Sequence, residues 1–219
     1  MYWDNQYQHN ERLWGETPSR LALVAVEYLQ KHGLAEKMLN VLDIGCGYGR
    51  DVLYLTEHTR GKILGVDISE KAITLAKKSY PENSRIKFRC CGFAELEENN
   101  KYDIVFLSNF YQLLKKDERI ELRRKIEKVL KPNGLLFLST LSTRDPEHSE
   151  KGTPVSGEIN SFVDNVYLHL CERSELEEDF SFLRIEELYK YEYFESRATG
   201  ETHHHISWIL VGGTDTVSA

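Results

Sequence analysis

The chain reads as a single α/β domain, an open parallel sheet with helices on both faces. Three observations predict this. Five short apolar runs lie between residues 41 and 140, and segments of helical period separate most of them. A turn with glycine at alternate positions, Gly45, Gly47 and Gly49, joins the first run to the helix after it. The second run ends in an acid, Asp67, which lies 22 residues beyond Gly45. A length of 219 residues suits one domain with a full core, so 1–219 is taken as one unit.

The elements follow in order. Residues 1–18 carry Tyr2, Trp3, Tyr7 and Trp14, more aromatic surface than a free tail exposes. Two readings stay open for this segment: packing on the outside of the domain, or a cap folded over a ligand mouth. Ser19 suits an N-cap, and Leu21, Val24, Ala25, Tyr28 and Leu29 repeat with the period of one helix face. Gly33 can close that helix. Val41, Leu42 and Ile44 form the first strand, followed by the glycine turn and a helix over about 50–58. Residues 62–67 are the second strand, and Ser69 caps a helix that runs to about residue 80. Residues 85–91 and 102–109 are the third and fourth strands. Residues 116–130 are a charged amphipathic helix stopped by Pro132 and Gly134, and 135–140 are the fifth strand. Residues 143–165 are polar and hold Pro146, Gly152, Pro154 and Gly157. That is too long for an ordinary connection and predicts a functional, substrate-side loop. Ser174 is placed to cap a short helix over 175–180. Residues 182–194 and 204–211 are strand-like, with a hairpin through 198–202.

Composition narrows the function. Hydrophobic residues make up 41% and charged residues 29%, which favours neither disorder nor a membrane class. No apolar run is long enough to span a bilayer, and the polar N-terminus does not read as a signal peptide. A net charge of −7 without a basic stripe suits a phosphate backbone poorly, so no nucleic-acid partner is expected. The 4 cysteines include no C-x-x-C pair, which argues against structural zinc and for reduced thiols in a cytoplasmic protein. His203, His204 and His205 suggest a metal cluster or a tag remnant. They read better as the opening of an apolar strand, alternating across it, and no metal is expected.

The glycine turn carries the chemistry. A strand, a glycine turn and a helix let a ligand lie against bare backbone at a helix N-terminus. In the dinucleotide fingerprint the third glycine falls five positions after the first; here Gly49 falls four after Gly45. An acid, Asp43, stands two residues before the first glycine. The string Asp43-Ile-Gly45-Cys-Gly47-Tyr-Gly49 resembles motif I of the class I S-adenosylmethionine-dependent methyltransferases. Trp3-Asp…Tyr7…Trp14-Gly-x-x-Pro18 and Gly49-Arg-Asp-x-x-Tyr-Leu55 are similar to small-molecule members of the tellurite-resistance and thiopurine type.

The resemblance implies a Rossmann-like, doubly wound, seven-stranded sheet of order 3-2-1-4-5-7-6 with strand 7 antiparallel. It implies S-adenosylmethionine as cofactor and methyl transfer to a small-molecule acceptor. Gly45, Cys46 and Gly47 would present backbone to the methionine part, and Asp43 would hold the turn and the amino group. Asp67 would accept the ribose hydroxyls and Ile68 would pack on adenine. Gly92 stands where many members carry an acid that reads the adenine amino group, which leaves Phe93 or its backbone N–H as the contact. Ser108 and Asn109 would lie beside the methyl group. In the cap reading Trp14 would face the sulfonium. No general base is assigned. Tyr111, His148 and His169 are candidates, each with a plain structural reading as strand-end aromatic, loop histidine and strand histidine. A non-catalytic cofactor-binding or interaction module stays open as an alternative, and so, less favoured, does a nicotinamide-dependent oxidoreductase.

Overall fold

The fold comes from a computed structural model, which describes residues 2–81, 83–98, 102–196 and 202–215. Its strands are β1 (Met38–Ile44), β2 (Arg60–Asp67), β3 (Ile86–Cys90), β4 (Tyr102–Ser108), β5 (Leu130–Leu141), β6 (Thr153–Pro154), β7 (Ser161–Val163), β8 (Tyr167–His169), β9 (Arg184–Ser196) and β10 (Thr202–Gly213). Seven of them form one sheet of order β3-β2-β1-β4-β5-β10-β9. The first five are parallel, and β10 runs antiparallel to both of its neighbours. With β10 as the seventh strand this is the expected 3-2-1-4-5-7-6 order. The connection expected over 198–202 lies outside the described residues apart from Thr202.

The sheet sorts its side chains by parity, because successive strand residues point to opposite faces. Val41, Ile104, Phe106, Phe137 and Ile209 pack on one face against α2 (Arg20–Lys31), α3 (Arg50–His58) and α4 (Glu70–Ser79). Leu42, Val105, Leu107, Leu138 and Leu210 pack on the other against α5 (Lys116–Val129) and α6 (Arg173–Asp179). On the first face each apolar row ends in a polar residue two positions on: Asp43 after Val41, Ser108 after Phe106, Ser139 after Phe137, and Ser207 beyond Ile209 on the antiparallel strand. The change from apolar to polar is level across β4 and β5 and one step displaced on β1 and β10, and it makes the floor of a cleft.

Caps set the helices. The Ser19 hydroxyl accepts the Ala22 N–H at 3.2 Å, and the Ser69 hydroxyl accepts the Ala72 N–H at 3.1 Å. Gly33 ends α2 with φ +65°. Two sequence expectations need correction. The stretch 143–165 is not all loop: β6, β7 and β8 pair as a small antiparallel sheet, in strands too short to show a period. Ser174 does not cap α6 but lies inside its first turn, with Glu172 in the cap position. An isolated bridge from Ser142 to Cys171 keeps the chain extended to that point, and the Thr143 hydroxyl donates to the Glu172 carboxylate.

Phe137 is fully buried between the sheet and α2, edge-on to Tyr28 at 5.6 Å. Phe137→Ala should cost about 3–5 kcal/mol through lost burial and the cavity left behind. A denaturant titration should show a lower midpoint with an unchanged slope.

Candidate functional site

A cleft of about 800 Å³ runs along the carboxyl ends of β1, β4 and β5 and on to β10 and β9. The volume fits ligand pockets of about 300–1,000 Å³. The cleft opens where β1 and β4 send their connections in opposite directions, the usual ligand position of open α/β sheets.

The glycine turn forms one end. The Val66 carbonyl accepts N–H bonds from Gly45 at 2.8 Å and Cys46 at 3.0 Å. The Asp67 carboxylate accepts the Gly47 N–H at 2.9 Å with one oxygen and the Ser69 N–H at 2.9 Å with the other. Glycine is required here. Gly45 and Gly47 have φ +79° and +54°, and a Cβ would stand 2.5 Å from the Phe110 ring and 2.8 Å from the Tyr7 hydroxyl. Asp43 does not hold the turn, contrary to expectation. It is 2% exposed, and its Oδ2 finds no donor among the described residues. Burial, then the nearby Asp51 and Asp67 charges, push its pKa well above the usual carboxylate range.

All eleven residues singled out from the sequence as cofactor contacts line this one cleft. Ile68 is 43% exposed on its wall, and Phe93 meets Phe110 edge-on at 6.2 Å. The acid nearest Gly92 is Glu95, which turns back to accept the Gly92 N–H at 2.8 Å. Asn109 takes φ +53°, rare for a non-glycine residue, and its N–H donates to the Ser139 carbonyl and hydroxyl, both at 3.1 Å. The N-terminal segment lies over the glycine turn. In α1 (Tyr2–His9), Asp4 accepts the Ser69 hydroxyl at 2.7 Å. The Tyr48 hydroxyl donates to the Gly15 carbonyl and accepts the Trp14 N–H at 3.2 Å, and Arg50 donates to the Trp14 and Thr17 carbonyls. Trp14 therefore stands at the mouth.

Residues 41–134 match the family model described as a methyltransferase domain. Over that stretch the chain is similar to methyltransferase domains. It is 32% identical over 106 residues to carboxy-S-adenosyl-L-methionine synthase of Glaesserella parasuis, covering 46% of this chain and 44% of that one. Its fold is similar to that of TehB from Haemophilus influenzae, with a TM-score of 0.67, 14% identity, and coverage of 98% of this chain and 67% of the other. It is also similar to the 1,6-didemethyltoxoflavin-N1-methyltransferase of Burkholderia thailandensis, solved with 1,6-didemethyltoxoflavin and S-adenosylhomocysteine: TM-score 0.66, 18% identity, coverage 96% and 84%. The chain spans only 37–44% of the length of the first curated relatives it matches.

Around this cleft the candidate bases separate. Tyr111 is fully buried and donates its hydroxyl to Asp179, away from the cleft. His169 is locked between Ser161 at 2.9 Å and Glu175 at 2.6 Å, also away from it. Only His148 lines the cleft, and burial lowers its pKa. Beside it stands His205, which the sequence reading did not single out for chemistry; the two rings stack at 5.5 Å. The histidine run alternates as expected: His203 and His205 share one face, while His204 stacks on Phe194. Asp145, His148 and His205 place potential metal-binding atoms within 4.8 Å of one another. Asp145, however, already accepts the N–H groups of Glu147 and His148 on Oδ1, and Ile206 N–H and His205 Nδ1 on Oδ2. Four donors fill a carboxylate's acceptor sites and leave none for a cation. The geometry therefore makes Asp145 an anchor that fixes the His205 proton on Nδ1. Arg20, Tyr48, Tyr191 and Ser207 also line the cleft and were missed.

Burial acts to raise the Asp145 pKa, but the hydrogen bonds from His205 and Ile206 outweigh it and hold the pKa below the usual value. A depressed carboxyl stabilises the fold above its unfolded pKa, about 3.9, and loses that contribution as pH falls through its folded value. Asp145→Asn should lower the thermal midpoint at neutral pH and flatten the loss of stability below about pH 4. Melting curves of both proteins from neutral to acid pH check this.

Proposed function

We propose that this chain is an S-adenosylmethionine-dependent methyltransferase that acts on a small-molecule acceptor in the cytoplasm, with residues 1–219 working as one domain. The observation that carries the reading is the orphaned Asp43 carboxylate beside bare glycine backbone. A buried acid without a donor is costly, and a cationic amino group removes the cost. Gly45 and Gly47 leave the backbone of the turn bare, close under Phe110 and Tyr7, where a side chain could not be placed. These features fit the methionine part of the cofactor. Bound there, the cofactor supplies an electrophilic methyl on a sulfonium. Asp67 spends one acceptor position per oxygen on backbone N–H groups, which leaves lone pairs for ribose hydroxyls. Ile68 and Phe93 flank the space for a purine. Trp3, Tyr7 and Trp14 cover the mouth and exclude water, which strengthens electrostatics inside. The net charge of −7 and the lack of a basic stripe support a small acceptor over a nucleic acid.

Calorimetry should show S-adenosylhomocysteine binding to the wild type and a loss of about tenfold or more in Gly47→Val, where the branched side chain meets Tyr7 at positive φ. Equal binding by both proteins would sink the assignment. Release of S-adenosylhomocysteine with a panel of thiols, tellurite, small carboxylates and phenols tests turnover; binding without any turnover would leave a binding module.

Asp43 also predicts a linkage. Its raised pKa lets the unliganded protein hold a proton to higher pH than an ordinary carboxyl does, and a cationic amino group needs the carboxylate. Binding of S-adenosylmethionine should therefore expel a proton and tighten as pH rises, until Asp43 is ionised without ligand. Titrations in two buffers of different ionisation heat should reveal the proton release, and Asp43→Asn should abolish it.

A further inference from the structure

Three buried polar side-chain atoms find no hydrogen-bond partner among the described residues: Asp43 Oδ2, Arg20 Nε and Ser207 Oγ. All three residues line the same cleft. Asp43 belongs to the glycine end. Arg20 and Ser207 lie together at the other end, with Tyr191 between them. Ser207 is 3% exposed and sits directly opposite Tyr191 in the β10–β9 register. The Arg20 guanidinium lies over the Tyr191 ring, 5.2 Å from its centroid.

Arg20 is an unusual residue for its place. It opens α2, at the positive pole of the helix dipole, and no acid stands in that first turn. It makes no ion pair among the described residues, in a chain with 35 acids against 28 lysines and arginines. A cation so placed, with a buried N–H that donates to nothing, loses stability unless an anion completes it. Ser207 offers a second buried donor beside it. We propose that this end of the cleft is an oxyanion subsite, and that the methyl acceptor is a small molecule bearing a carboxylate or a similar oxyanion held by Arg20 and Ser207. The inference rests on the methyltransferase reading for what the ligand is used for. The planar guanidinium fork suits a carboxylate or a phosphate, and the Tyr191 and Tyr193 rings, stacked at 5.4 Å, suit a flat body. The cofactor's own carboxylate is the rival occupant. The Arg20 backbone follows Ser19, whose N–H bonds Asp51 beside the turn, while the guanidinium reaches over Tyr191 on β9, so S-adenosylhomocysteine affinity in Arg20→Gln decides between the two occupants.

The test uses the full chain saturated with S-adenosylhomocysteine. Paired probes are titrated by calorimetry: benzoate against benzamide, phenylacetate against phenylacetamide, 4-hydroxybenzoate against 4-hydroxybenzamide, with phenyl phosphate as a further arm. At least one acid should bind the wild type about tenfold or more tighter than its neutral partner, the size expected of a charge-assisted pair. The gap should close in Arg20→Gln, narrow in Ser207→Ala and persist in part in Arg20→Lys, which keeps the charge without the fork. A win for phenyl phosphate over every carboxylate assigns the subsite to phosphate esters within the same chemistry. S-adenosylhomocysteine affinity should not move in any variant. The proposal falls if no acid outbinds its neutral partner, if the preference survives Arg20→Gln, or if Arg20→Gln weakens S-adenosylhomocysteine itself. Should Arg20→Gln fail to fold, an unchanged gap in Ser207→Ala and Arg20→Lys together overturns it. Failure of the wild type to bind S-adenosylhomocysteine refutes the methyltransferase reading instead.

Discussion

At the end of β1 the chain has to leave a fully occupied sheet. β2 lies on one side of it and β4 on the other. The two connections diverge, and the backbone there has no strand left to pair with. One carbonyl resolves most of this: Val66 accepts from both Gly45 and Cys46, and so fastens the loop to the strand beside it. Asp67, the next residue, fastens Gly47 and at the same time orients the entry to α4 through Ser69. The backbone of the loop is thus fastened from the β2 side, while Phe110 after β4 and Tyr7 of the N-terminal segment pack on it. The glycine end of the cleft depends on that fastening.

The fold was legible because its signals are periodic. The strands of the parallel half, the helix limits near 50–58 and the Ser19 and Ser69 caps follow from apolar spacing and cap chemistry, whereas the strand order was implied by the resemblance alone. The short sheet of β6 to β8 was not, since strands of two or three residues carry no period. The start of α6 failed for another reason. A long-range bridge at Cys171 sets it, and no local pattern reports such a contact.

The site divides the same way. Its glycine end is contiguous in sequence, so Asp43 to Gly49 and Asp67 could be read directly. The far end is assembled from α2, β9 and β10, elements more than 150 residues apart, and Arg20 beside Tyr191 is visible only after folding. A signal did exist. On β9 and β10, Tyr191, Tyr193, His205 and Ser207 share the parity of core residues Ile209 and Val211, yet they are polar or amphipathic. Inward polar residues on an otherwise apolar row mark either a network or a cavity. The expected part of Asp43 in holding the turn failed for a comparable reason: spacing places an acid near a turn but does not say which group fastens it.

The N-terminal segment is joined to the glycine turn by its own contacts. Tyr48, in the middle of the turn, holds Trp14 and Gly15, while Arg50, at its exit, holds Trp14 and Thr17. The wall and the floor of the mouth are therefore one mechanical piece. A ligand seated on the turn presses on the residues that keep the wall in place, and lifting the wall pulls on the surface where the ligand rests. Opening and grip would then oppose each other through the same two side chains, Tyr48 and Arg50.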